Sequence, residues 1–138
     1  MIFKEDNHIE YLLGSKQPKT LPTKPFDSSV CEFLEIFSKK LNLIKNIKNY
    51  PDLKTLSFWC RKGNIYNLKK KYFSEETRMG LGMIFHITPS NIPTNFAYSL
   101  IFGLLTGNSN IIKVPSKKFN EIDIICSVVN LILKNKKF

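Results

Sequence analysis

Asn91 stands between Pro89 and Pro93, each two residues away, in the segment HITPSNIPTN that covers residues 86–95. Pro93 fixes its own φ and pushes Ile92 towards extended geometry, so the backbone around Asn91 is stiff. A stiff loop can aim a carboxamide NH2 at a developing oxyanion, a donor that acyl-transfer chemistry needs. The same residue type also bonds its own loop in a structural turn. Spacing leaves both roles open. Lys113 closes an apolar run, Ile111-Ile112. A lysine there either reaches an anion or snorkels to solvent at a sheet edge. The polar turn Pro115 to Lys118 follows it directly.

Other reactive residue types give weaker signals. His86 lies inside an apolar run with no carboxylate near it in sequence, which reads as a packed, hydrogen-bonded histidine rather than a base. Gly80-Leu81-Gly82 is a GxG that precedes a strand pattern instead of following one, so it is no dinucleotide fingerprint. No P-loop, GxSxG or HExxH occurs. Cys31, Cys60 and Cys126 lie far apart among apolar neighbours, without a CxxC pair. They read as small buried hydrophobes, and neither a disulfide framework nor a metal site is expected.

The elements that must position Asn91 and Lys113 are legible in the second half. Gly82 to Thr88 reads as a strand and Asn95 to Thr106 as a helix, with Thr94 as its cap and Gly107 at its end. Ser109 to Val114 reads as a second strand, and Phe119 to Lys134 as a helix with Ile122, Ile125, Val129 and Ile132 on one face. Strand, helix, strand, helix predicts parallel strands joined by a crossover. Ligands of such sheets bind beyond the carboxyl ends of the strands. The polar segments 89–94 and 115–118 should therefore be neighbours there.

The first half reads as helical. Residues 1–26 are a polar, irregular lead-in with Pro18, Pro22 and Pro25. Ser29 and Glu32 form a capping-box pattern ahead of Val30, Phe33, Leu34, Phe37, Leu41 and Ile44 at helical spacing. Pro51 suits the first position of a second helix with Leu53, Leu56, Trp59 and Cys60 on its stripe. Gly63 is expected to close it, and Asn64 to cap a third helix through Lys70.

Composition sets the class. The chain has 138 residues, 43% of them apolar, enough for one domain with a core. Mean hydropathy is −0.15, and Phe96 to Leu105, the longest apolar span, is too short for a membrane helix. The acidic start, MIFKEDNHIE, lacks a signal peptide's apolar core, so a cytoplasmic location is expected. The net charge is +10 with a pI near 9.6. Yet Arg61 and Arg78 are the two arginines among many lysines, and arginine's planar fork is the better reader of bases and phosphates. Abundant Lys, Asn and Ile together match AT-rich coding. Solvated surface is thus favoured over nucleic acid, with a basic binding module kept as an alternative.

The run GMIFHITPSNIPTNFAYSLIFGLLTGNSNIIKVPS, residues 82–116, resembles the aldehyde dehydrogenase superfamily. There a strand leads to a Pro-Trp-Asn-x-Pro loop, a helix, Gly-Asn, a strand and Lys-Pro-Ser. The corresponding residues are Pro89 to Pro93, Gly107-Asn108 and Lys113-Val114-Pro115-Ser116. Serine at position 90 and the valine after Lys113 resemble the acyl-CoA reductase branch, the LuxC-type fatty acid reductases. Residues 49–65 are similar to the helical region of that branch. The likeness spans residues 28–135.

The resemblance implies an α/β fold: a helical amino-terminal region (27–72) followed by a partial Rossmann-like parallel sheet (80–138) of the cofactor-binding domain. It implies Asn91 as the oxyanion donor in reduction of a fatty acyl-CoA or other acyl thioester to an aldehyde. Lys113 would hydrogen-bond the adenosine ribose, and Pro115, Ser116 and Lys117 would lie near the ribose 2′ position. NAD-preferring relatives often carry a glutamate just after this motif. Lys117 and Lys118 stand here instead, and cations favour a 2′-phosphate, so NADPH is the implied cofactor. The nucleophilic cysteine of such enzymes lies well beyond the lysine motif. Cys126 comes too early and sits in a helix pattern, so no nucleophile is assigned. The catalytic domain is expected to be missing. The chain is expected to be an amino-terminal fragment that works with a downstream portion, or else a non-functional remnant, and to be marginally stable by itself.

Overall fold

The computed structural model describes residues 10–17, 21–72 and 77–135. Residues 1–9, which carry the expectation of a cytoplasmic location, and Pro18 of the lead-in lie outside them. The described residues form five α-helices and a two-stranded parallel sheet, a mixed α/β fold. The order is α1 Ser28–Asn42, α2 Pro51–Trp59, α3 Lys62–Tyr72, β1 Met83–Ile87, α4 Asn95–Leu105, β2 Ser109–Lys113 and α5 Asn120–Asn135.

The periodic stripes become the core. Helix α1 buries Phe33, Leu34, Phe37 and Leu41, and α5 buries Ile122, Ile125, Val129 and Ile132, as their spacing predicts. Helix α1 is the hub, in contact with α2, α3, α4 and α5. Leu34 is fully buried there, and cutting such a side chain to alanine costs about 2–5 kcal/mol. Between α1 and α2 two serines bond reciprocally: Ser38 Oγ donates to the Ser57 carbonyl at 2.7 Å, and Ser57 Oγ to the Ser38 carbonyl at 3.0 Å. This exchange leaves neither buried hydroxyl unpaired.

Three local expectations are corrected. The cap of α1 is Asp27, not Ser29: its Oδ1 accepts from the Ser29 N–H at 2.9 Å and the Ser29 hydroxyl at 2.6 Å. A carboxylate is an equally good cap and stands two residues earlier. Gly63 and Asn64 both lie within α3, and Asn64 Nδ2 donates back to the Trp59 carbonyl at 2.6 Å. It therefore satisfies the end of α2 rather than the start of α3. Thr94 precedes α4 but makes no side-chain cap bond. It is buried, and its carbonyl starts the helix by accepting from Ala97 and Tyr98.

The strands pair in register Met83–Ser109 through Ile87–Lys113. Burial alternates along β1, so Ile84 and His86 turn towards the helices while Met83, Phe85 and Ile87 face outward. Ile111 and Lys113 lie on the same outward face by register. At the amino end the strands are clasped. Asn108 Oδ1 accepts from the backbone N–H groups of Leu81 at 2.6 Å and Gly82 at 3.2 Å. Its Nδ2 donates to Thr106 Oγ1 at 2.9 Å. The lead-in joins this clasp: Thr23 donates to the Gly107 carbonyl and accepts from the Gly80 N–H, at 2.9 and 3.1 Å. Gly80-Leu81-Gly82 is thus a close-approach segment, with Gly82 at φ 112° and Gly107 at φ 84°.

Candidate functional site

The two carboxyl strand ends meet in a cleft of about 290 Å3, lined by residues 87–90 and 113–116. One tie closes its base. The Lys113 carbonyl accepts from the Thr88 backbone N–H at 3.3 Å and from Thr88 Oγ1 at 2.9 Å. The two polar segments singled out by the strand order are brought together as expected.

Lys113 lines the cleft and is exposed at its strand end. Among the described residues it has no carboxylate partner, since the ion pairs there join Lys39 and Lys62 to Glu35. Pro115 and Ser116 line the cleft as well. Lys117 does not: its ammonium lies 5.0 Å from the centroid of the Phe119 ring, a cation–π contact at the start of α5. Asn91 is exposed just outside the lining, one residue beyond Ser90. No side-chain hydrogen bond ties its carboxamide to the described residues.

His86 sits elsewhere. Its Nε2 lies 2.9 Å from Asn110 Oδ1, on the helix-facing side of the sheet. Asn110 Nδ2 donates to the Asn108 carbonyl at 2.9 Å, which leaves Oδ1 to accept, so Nε2 carries the proton. Gly103 of α4 is small because of this pair: a Cβ there would overlap Asn110 Oδ1.

Residues 32–130, more than half of the chain, match the family described as Acyl-CoA reductase (LuxC). The chain belongs to the acyl-CoA reductase (LuxC) family. The match takes in β1, the Asn91 loop, α4 and the Lys113 turn, and so the whole lining of the cleft. No curated protein and no solved structure matches the chain. Membership makes reduction of an acyl thioester the relevant chemistry.

A cysteine thiolate is one nucleophile that can carry a covalent acyl group, and the three thiols of this chain are poorly suited to that role. Burial pushes the Cys60 thiol up to about 12 and, with help from Asp123, the Cys126 thiol up to about 11. Burial also raises Cys31, against the pull of Lys69. A nucleophilic cysteine needs the opposite shift. Among the described residues no group of three or more His, Cys, Asp or Glu could hold a metal ion, and no helix is long and apolar enough to cross a membrane.

Two residues that order the ends of the sheet, Asn108 at the amino end and Thr88 at the carboxyl end, were given no such role by the sequence. Asn108 had a signal in the Gly107-Asn108 pair that ends α4, but its role as a clasp needs the Gly80 segment opposite it. Thr88 had none beyond standing before a proline.

Proposed function

We propose that the chain is the amino-terminal, cofactor-side portion of an NADPH-dependent reductase of fatty acyl thioesters. Residues 27–138 would form part of an aldehyde dehydrogenase-type cofactor domain in this reading. The cleft receives the adenosine end of the cofactor, with Lys113 donating to the ribose and Pro115 and Ser116 walling the 2′ position. Lys117 and Lys118 follow in the chain, Lys117 outside the lining beside Phe119, and their positive charge near the cleft favours a 2′-phosphate over a hydroxyl. The nicotinamide cofactor supplies the hydride when bound. Asn91 donates to the acyl oxygen as negative charge gathers on it. The nucleophilic cysteine belongs to a downstream portion that acts together with this chain.

The observation that carries this reading is Lys113: an ammonium at the carboxyl end of a parallel strand, lining a cleft, without a carboxylate partner among the described residues. Such a group is available to a ligand's oxygens. Fluorescence titration of the whole chain with NADPH and NADH tests it. NADPH is expected to bind more tightly. Lys113→Gln is expected to weaken binding about tenfold or more, the effect of losing one charged hydrogen bond. Equal affinity for both cofactors rejects the NADPH preference, and no binding of either rejects the cofactor-side role.

A further inference from the structure

Thr88 stands where β1 gives way to the loop that carries Ser90 and Asn91. A parallel ladder would be continued by its backbone N–H alone. Its hydroxyl adds a second donor to the same Lys113 carbonyl, and at 2.9 Å it is the shorter of the two contacts. Pro89 follows Thr88 at once, and Pro115 follows Lys113 by two residues. Proline cannot rotate about φ, which leaves the chain just beyond the tie fewer ways to absorb a shift there.

We infer that Thr88 is a positioning residue that sets the spacing between the Ser90–Asn91 wall and the Lys113–Ser116 wall of the cleft. It acts through Lys113, because its own hydroxyl hydrogen is committed to that carbonyl. The inference rests on the cofactor reading above. It predicts that the hydroxyl, not the bulk of the side chain, governs cofactor affinity.

Thr88→Val keeps the β-branched shape and the backbone N–H and removes the hydroxyl. Thr88→Ser returns it. The whole chain and both variants are titrated with NADPH, melted, and followed by amide hydrogen exchange at the strand ends. Thr88→Val is expected to bind about fivefold more weakly, because binding must then restore a wall spacing that a neutral hydrogen bond had held. It should exchange faster at residue 88 and keep a single cooperative melt at a slightly lower temperature, while Thr88→Ser recovers most of the affinity. A Thr88→Val chain that binds like the parent overturns the inference and leaves the cofactor reading standing. Equal weakening in both variants also overturns it, since the hydroxyl would then not be the cause. If the parent chain binds no NADPH, the cofactor reading falls and takes the inference with it.

Discussion

Gly80 packs directly on Gly107, so that a Cβ added to the first would overlap the carbonyl oxygen of the second. Gly107 in turn packs on the Thr23 carbonyl and holds φ at 84°. Three backbone segments converge there with no room for a side chain. Gly80→Ala should therefore cost about 1–3 kcal/mol through overpacking. Gly107→Ala should cost more, since it adds left-handed strain to a second clash. Urea denaturation checks both; a Gly80→Ala chain with the parental midpoint would contradict the packing.

The neighbouring Asn108 accepts from two backbone N–H groups while itself buried. Asn108→Ala leaves both donors without their acceptor, a loss of about 1–3 kcal/mol for each that stays dry. Asn108→Asp keeps the acceptor but sets a second oxygen against the Thr106 hydroxyl and carbonyl that Nδ2 serves at 2.9 and 3.4 Å, so its benefit should appear in acid, where the carboxyl is protonated and can donate. Asp above Ala in melting temperature at low pH is the test.

These contacts show where sequence reading stops. The stripes of α1 and α5 and the parallel pairing of β1 with β2 were legible, because periodicity and element order are local or topological properties. The meeting of the Asn91 loop with the Lys113 turn was legible for the same reason. The cap at Asp27 was not: Ser29 and Asp27 are both good caps, and only the chain's entry angle selects between them. Thr23, Gly80 and Gly107 are distant in sequence, and nothing in any one of them announces the others. Lys117 shared a motif with Lys113, yet the ring of Phe119 draws it out of the cleft lining.

Asp27 ties acid stability to one helix end. The Ser29 hydroxyl and N–H hold its carboxyl below the usual carboxylate range. A depressed folded pKa means the contribution is present above the unfolded value and lost as pH falls through the folded one. Asp27→Ala should cost about 1 kcal/mol at neutral pH. That difference should shrink below a pH of about 4, where the parent's own carboxylate protonates. Asp27→Asn should show little loss at neutral pH, and in acid it should gain on the parent. Paired melts across pH give the answer.

The thiols offer a direct probe of burial. At pH 8, Cys60 and Cys126 should react slowly with a thiol-specific disulfide reagent in the folded chain, with half-buried Cys31 first. All three should react promptly in urea. Fast labelling of Cys126 in the native chain would run against its high thiol pKa.

In the proposed reading, activity is expected only when a downstream portion is supplied in trans. In that mixture Asn91→Ala should lower the rate of acyl thioester reduction by about 10²- to 10³-fold, with little change in melting. An unchanged rate would remove Asn91 from the oxyanion role. Because the side chain is exposed and unbonded to the described residues, a loss of rate cannot be blamed on a weakened fold.

The central place of α1 has a consequence in time. Among the described helices α1 is synthesised first, yet one of the surfaces it packs against belongs to α5, synthesised last. The part of its apolar surface that faces α5 must wait, uncovered, while the intervening strands and helices are translated. The chain thus closes on itself late, and shortening it from the α5 side should unravel its beginning as readily as its end.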